Sequence, residues 1–343
     1  MEAELVPVID LEGPDAPELI DAACRDIGFL SVVNHGIPDA VIRRMLRATD
    51  AFFGLPFEDK LALTPPTPDV DRGYAAKGSE SLYQSLGHED IPADLFEAFN
   101  VGPDIGLDGW PEGDPRHGLN QPLFTSGNLW PSQPSQAELR PALMDYFEQV
   151  RVLAHRLTSL FAEALNLAPG YFEPFTDHAT DTMRVNRYER APGEPDALAG
   201  QQRMGAHSDY GVLTVLYADR VPGLQIVGPD DKWHDVMPAP SALLVNLGDL
   251  LAQWTNDHWR STLHRVVPPP GSADGPHLRR SVAFFHEGNF DGLIECLPTC
   301  VSAERPARYE PVLAGEHLLA KLMGPRTLTA SSAASTTSGR ATS

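Results

Sequence analysis

At 343 residues and 42% hydrophobic composition, the chain is long enough for one large or two ordinary domains with a sizeable buried core. Its 47 acidic residues against 26 basic ones give a formal charge of -21, a field that repels phosphate backbones and anionic lipid and argues against nucleic-acid and membrane partners. Cys24, Cys296 and Cys300 are an odd number without C-x-x-C spacing, which argues against a disulfide framework and a zinc ribbon and fits a reducing compartment.

The opening "MEAELVPVID" lacks the basic and apolar regions of a signal peptide. The longest apolar stretch, "SALLVNLGDLLAQW", is interrupted by Asn246, Gly248 and Asp249, so a cytoplasmic location is expected. Residues 5 to 60 read as a strand "VPVID", a helix from Pro17 to Asp26, a buried strand "GFLSVVNHG" and a helix from Asp39 to Phe53, together a small α/β layer. Pro65, Pro66 and Pro68 close it, and the following stretch of about 70 residues, rich in Gly and Pro, reads as long loops.

From Ser135 the pattern changes. Leu139, Leu143, Phe147, Val150, Leu153, Leu157, Leu160 and Ala164 recur at steps of three and four, the mark of one helical face. Ser135 and Glu138 fit a capping box, Pro141 argues for a later start, and Gly170 is the expected terminator. Beyond Asp181 come short β-rich runs: "TMRVNRYE", "VLTVLYAD", "GLQIVG", "KWHDVMP", "ALLVNLG", "LHRVVPPP" and "RRSVAFFHE", spaced as in a sandwich or jelly roll. The final "TLTASSAASTTSGRATS" has too few large apolar side chains to offset its ordering entropy and is expected to be disordered.

Within this β region, "GAHSDYG" puts His207 and Asp209 two apart, and in an extended segment both project from one face. Composition alone supplies about one or two His-x-acid triplets by chance, and His88-Glu89-Asp90 is a second one. A third ligand is therefore needed, and His264 in "STLHRVV" is the candidate. Two imidazoles and a carboxylate on one face of an ion form the facial triad of non-haem Fe(II) oxygenases, although zinc also takes such ligands. Arg279 and Ser281 share a strand face by the same rule, and a guanidinium fork beside a hydroxyl is a receptor for a carboxylate. "MRVNRYE" adds Arg184, Asn186 and Tyr188 on one face.

From about Val6 to Leu319, through "GFLSVVNHGIP", "RGY", "RVNRYE", "GAHSDYG", "LLVNLGDLLAQWTND", "STLHRVV" and "RRSVAFF", the chain resembles the iron(II)- and 2-oxoglutarate-dependent oxygenases of the isopenicillin N synthase-like branch. The resemblance implies an α+β fold with a mostly β core: a distorted double-stranded β-helix, or jelly roll, an N-terminal α/β layer and a long supporting helix. Residues 1–130 are then the N-terminal region with its loops, 131–325 the supporting helix and oxygenase core, and 326–343 a disordered tail. His207, Asp209 and His264 match the iron ligands, Arg279 and Ser281 the pair on the distal carboxylate of 2-oxoglutarate, and Tyr188 and Asn186 further co-substrate contacts. Fe(II), 2-oxoglutarate and O2 are the implied cofactor and co-substrates, and hydroxylation of a small metabolite with release of succinate and CO2 the implied reaction.

Candidates for substrate contact, in the loops or flanking the motif strands, are Tyr74, Tyr83, His88, Glu97, Phe99, Arg184, Leu216, Phe285 and His286. For Arg184 an inward-facing role and an ion pair weigh equally, and Glu97 leans towards structure. Asn34-His35-Gly36 reads as a structural turn, Asn246, Gly248 and Asp249 as the turn that orients a core strand, and Trp233 and Trp254 as packing. The rival reading is an iron oxidase or cyclase of the isopenicillin N synthase type that dispenses with 2-oxoglutarate, so that Arg279 and Ser281 grip a substrate carboxylate instead. A silent binder would show damage to the triad, and none is visible. A zinc hydrolase leaves the carboxylate receptor unexplained.

Overall fold

The computed structural model describes residues 5–67, 69–82, 92–105, 110–117, 119, 121–190, 197–198, 200–268 and 278–322. Tyr83, the His88 triplet and the 326–343 tail lie outside these residues. The chain begins with β1 (Val8–Asp10), α1 (Ala16–Asp26), β2 (Phe29–Val33), α2 (Asp39–Phe53) and α3 (Phe57–Leu61), then β3 (Gly73–Ala75), β4 (Glu97–Val101) and α4 (Pro122–Thr125). The long helix α5 (Leu139–Ala164) leads into β5 (Thr182–Glu189), β6 (Met204–His207), β7 (Leu213–Ala218), β8 (Leu224–Val227), β9 (Trp233–Asp235) and β10 (Leu243–Leu247). A short α6 (Asp249–Trp254), β11 (His264–Val266), β12 (Leu278–His286), β13 (Leu293–Ile294) and β14 (Val312–Leu313) complete it.

Two sheets carry the core. The large one has eight strands in the order β1-β2-β10-β7-β12-β5-β4-β3, and the small one four in the order β6-β11-β8-β9. Strand periodicity assigns each face. On β5 and β12, Met183, Val185, Val282 and Phe284 point to one side and pack with α1, α2 and α5, as in the Phe147–Phe284 edge contact at 5.0 Å. Their alternate neighbours Arg184, Asn186, Tyr188, Arg279 and Ser281 face the small sheet and line the cavity between the sheets. Apolar side chains of both sheets, including Phe29, Ala98, Tyr188, Leu224, Ile226 and Val266, close the rest of that interface. Burying each large aliphatic or aromatic side chain of α5, such as Leu157 or Phe161, contributes about 1.5–3 kcal/mol, which is why one helical stripe suffices to back the sheet.

Four sequence expectations change. The N-terminal strands do not form a layer of their own: β2 pairs with β10 and β4 with β5, so both ends of the large sheet are built by residues before 130. The Gly- and Pro-rich stretch hides β3 and β4, because "EAFNV" is buried on both faces and so lacks the alternation of a half-exposed strand. The proposed capping box does not form at α5; Ser135 sits in a short 3-10 turn, Glu138 makes no side-chain cap bond, and Pro141 occupies the first turn, where no N–H is needed. The helix stops at Asn166, whose φ of 55° lets Leu167 N–H donate back to the Ala162 carbonyl at 2.8 Å, well before Gly170.

Candidate active site

His207 ends β6 and His264 begins β11, and the antiparallel register sets them directly opposite one another. Their ring centroids are 4.3 Å apart. Asp209, two residues beyond His207, brings Oδ1 to 3.8 Å from His207 Nε2 and 3.7 Å from His264 Nε2. One ligand atom from each of the three lies within 4.8 Å of the others, the single such group among the described residues.

Neighbouring groups fix which atoms face the centre. His207 Nδ1 meets the Gly205 carbonyl at 2.8 Å and His264 Nδ1 the Thr262 carbonyl at 3.1 Å. Each Nδ1–H therefore donates to backbone and each Nε2 keeps its lone pair for a metal. Asp209 Oδ2 accepts from Thr214 Oγ1 at 2.5 Å and Asn246 Nδ2 at 2.6 Å, which leaves Oδ1 turned to the imidazoles. Burial, and then the adjacent His264, push His207 down to about 4, so it is a neutral ligand at ordinary pH. Burial opposes the charge on Asp209, but the two imidazoles and the bonds from Thr214 and Asn246 outweigh it and hold the carboxyl below the ordinary range. Two imidazoles that turn Nε2 inward and one carboxylate, with the second atom of each tied back, fit a divalent transition metal with coordination positions to spare.

The cavity that holds the triad, about 470 Å³ in all, extends along the inner face of the large sheet. Arg279 is 1% exposed, and its Nε and Nη1 have no hydrogen-bond partner among the described residues. Its guanidinium lies 5.0 Å from the centre of the Tyr188 ring, its cross-strand neighbour. Ser281 Oγ is 3.4 Å from Tyr188 OH, and Ser281 pairs with Asn186 across β5. A guanidinium buried without an acceptor is costly unless an anion completes it, and a carboxylate matches its fork. These residues fit 2-oxoglutarate.

Residues 180–288 match the 2OG-Fe(II) oxygenase superfamily, and residues 6–133 match the family described as non-haem dioxygenase in morphine synthesis N-terminal. A 2-oxoglutarate-Fe(II) type oxidoreductase, hxnY, of Emericella nidulans is 33% identical over 84% of this chain and 79% of its own. The chain belongs to the 2OG-Fe(II) oxygenase superfamily. The oxygenase is also 34% identical, over 89% of its length and 88% of the relative's, to homoarginine-6-hydroxylase 2-ODD-233 of rice, Oryza sativa subsp. japonica. Among solved structures, a full-length Neurospora crassa protein in complex with alpha-KG and thymine superposes with a TM-score of 0.78 at 29% identity, covering 94% of this chain and 97% of that one. Fe(II) and 2-oxoglutarate are accordingly its cofactor and co-substrate, and the jelly-roll reading of the fold holds. An oxidase without 2-oxoglutarate is not favoured.

The remaining sequence candidates divide. Arg184, Tyr74, Leu216 and Phe285 line the cavity of the oxygenase. Arg184 satisfies both of its readings, facing inward while its Nη2 donates to Glu80 Oε2 at 2.7 Å and its Nε to Asn186 Oδ1 at 3.2 Å. Glu97 does not line the cavity, and its Oε2 accepts from Lys60 Nζ and Tyr74 OH, both at 2.7 Å. Phe99 packs on Phe52 at 4.5 Å instead of facing the cavity. His286 is on the opposite face of β12 from Phe285, buried with Nδ1 3.1 Å from Asp181 Oδ1. Strand parity could have said so, since side chains of adjacent strand residues point to opposite faces.

Asn246 corrects the sequence reading, since it lies on β10 and holds a triad carboxylate instead of forming a turn. Gly248 and Asp249 do mark the strand's end, and Asp249 N–H donates to the Asp209 carbonyl at 2.8 Å. His35 Nε2 lies 3.2 Å from the Ser241 carbonyl, which agrees with a structural turn, and Trp254 is buried in the core. Sequence reading missed Thr214, Asp71, Glu80 and Glu287, all of which line the cavity. Only the position of Glu287, two residues beyond Phe285, gave any hint of it.

Proposed function

We propose that this protein is an Fe(II)- and 2-oxoglutarate-dependent oxygenase that hydroxylates a small organic metabolite, with His207, Asp209 and His264 as iron ligands. The convergence of that triad beside the buried Arg279, whose Nε and Nη1 have no partner among the described residues, carries the reading. Bound iron supplies the Lewis acid and one-electron chemistry at which a 2-oxo acid and O2 are activated, with 2-oxoglutarate leaving as succinate and CO2.

The chain's own residues position and protect. The Gly205 and Thr262 carbonyls hold the two imidazoles in the tautomer that presents Nε2. Thr214 and Asn246 fix the Asp209 carboxylate so that one oxygen ligates. Arg279 and Ser281 take the far carboxylate of 2-oxoglutarate, and Tyr188 and Asn186 form the wall beside it. Met204, Leu224 and Val266, apolar residues of the small sheet, keep water from that end. Relatives named homoarginine-6-hydroxylase and proline hydroxylase support a small substrate, as does the thymine held by the Neurospora structure. The acidic surface supports a reading without nucleic-acid partners. Among the described residues no helix is long and apolar enough to cross a membrane.

The test is succinate formation by anaerobically reconstituted protein on admission of O2. Turnover should need both Fe(II) and 2-oxoglutarate and rise with the true substrate. O2 consumption that proceeds equally without 2-oxoglutarate would return the rival oxidase.

A further inference from the structure

The cavity has a second polar end that the roles above leave unused. Glu287 follows β12, is 6% exposed and lines the same cavity as the triad. Its carboxylate lies against Gly211, in the loop just beyond Asp209, where a Cβ would collide with Oε2. Its backbone N–H donates to Asp181 Oδ1 at 3.0 Å, but among the described residues no donor or cation reaches the carboxylate itself. The charged groups that act on it are all acids. Burial first, then Asp181, Asp209 and Asp71, push its carboxyl up to about 8.

The arginines of the cavity are engaged elsewhere. Arg184 is held by Glu80 and Asn186, the Arg72 guanidinium lies against Gly102, and Arg279 is the receptor for the co-substrate. At the metal end the charges balance, a ferrous dication and the Arg279 guanidinium against Asp209 and the two carboxylates of 2-oxoglutarate. Glu287 is left over. A carboxylate withdrawn from water, among other acids and with no donor, is unfavourable in its charged form until a cation arrives to pair with it. The net charge of -21 raises the local concentration of small cations at such a cleft.

We propose that Glu287 is the specificity-determining residue of the substrate end and that the substrate carries a protonated amine or a guanidinium group, which the Glu287 carboxylate receives. The inference rests on the oxygenase reading of the site and goes beyond it to the charge of the substrate. It distinguishes this cavity from one that accepts a neutral ring, for which the carboxyl would stay protonated and donate to a carbonyl.

Three probes of one shape decide the matter: n-butylammonium, n-butylguanidinium and the uncharged n-butylurea, titrated calorimetrically into anaerobic protein loaded with Fe(II) and 2-oxoglutarate. One or both cations should bind more tightly than butylurea, and Glu287→Gln should weaken the cations roughly tenfold to a hundredfold while sparing butylurea. Cations that bind no better than butylurea, or that bind the variant as well as the wild type, overturn the inference. If the variant does not fold, the wild-type preference among the probes decides. Fe(II)-dependent 2-oxoglutarate binding by the wild type is measured in the same preparation. Its absence overturns the reading of the site and the inference with it, whereas its presence without cation preference overturns the inference alone.

Discussion

The two ends of the cavity are built differently. At the metal end, all but Asp209 are set by strand register, His207 opposite His264, Arg279 opposite Tyr188 and Ser281 opposite Asn186, and Asp209, just beyond β6, is fixed by Thr214 of β7 and Asn246 of β10. At the substrate end, Asp71, Glu80, Arg184 and Glu287 arrive from separate segments, and only Arg184 lies within a strand. A sheet specifies geometry through its two-residue period, so the first end is rigid and common to many chemistries, and the second is free to vary with the substrate.

The sharpest way to break this contrast is to delete a metal-end residue. His207→Ala or His264→Ala should abolish iron-dependent succinate formation altogether, and full turnover by either variant would remove that residue from the triad. Arg279→Ala should leave the metal site intact and raise the 2-oxoglutarate concentration needed for half-maximal turnover by roughly a hundredfold. Asn246→Ala strips one donor from Asp209 and should weaken iron affinity by about 10- to 100-fold, read by competition with a chelator.

Glu97→Gln probes the structural side. It weakens the buried pairing with Lys60 and Tyr74, and should lower stability in urea by about 1–3 kcal/mol with no change in 2-oxoglutarate affinity. A change in 2-oxoglutarate affinity instead would return Glu97 to the site.

The smallest effect is one of pH. Glu287, raised from 4.5 to about 8 chiefly by burial, keeps its proton when folded over a range in which the unfolded chain releases it. The folded state then binds more protons, so its contribution to stability is complete below about 4.5 and is lost as the pH rises towards 8. Glu287→Gln should flatten that slope in urea titrations across the range, and an unchanged slope would place the carboxyl in contact with water.

The same contrast explains what could be read from sequence. His207, Asp209, His264, Arg279 and Ser281 were legible because a period of two puts paired polar residues on one face, and because the order of the motifs resembles a known family. The helices α1, α2 and α5 were legible from apolar spacing of three and four. β4 was not, since burial on both faces erases alternation. The role of Asn246 was hidden as well, because an asparagine between Val245 and Leu247 looks like the start of a turn until β10 is seen to pass behind Asp209. His286 misled for the opposite reason, since it lies on a motif strand but on the far face of β12, whereas the ion pair of Glu97 with Lys60 agrees with its structural lean. Convergence of distant loops leaves no periodic trace, so Asp71 and Glu80 were invisible.

Anomalous scattering at the iron edge, from crystals grown anaerobically with Fe(II) and 2-oxoglutarate, tests the central claim most directly. The account predicts one iron peak bound by Nε2 of His207, Nε2 of His264 and Oδ1 of Asp209, with the distal carboxylate of 2-oxoglutarate on Arg279 and Ser281. An iron peak that omits His264, or a co-substrate whose far carboxylate lies away from Arg279, would contradict it.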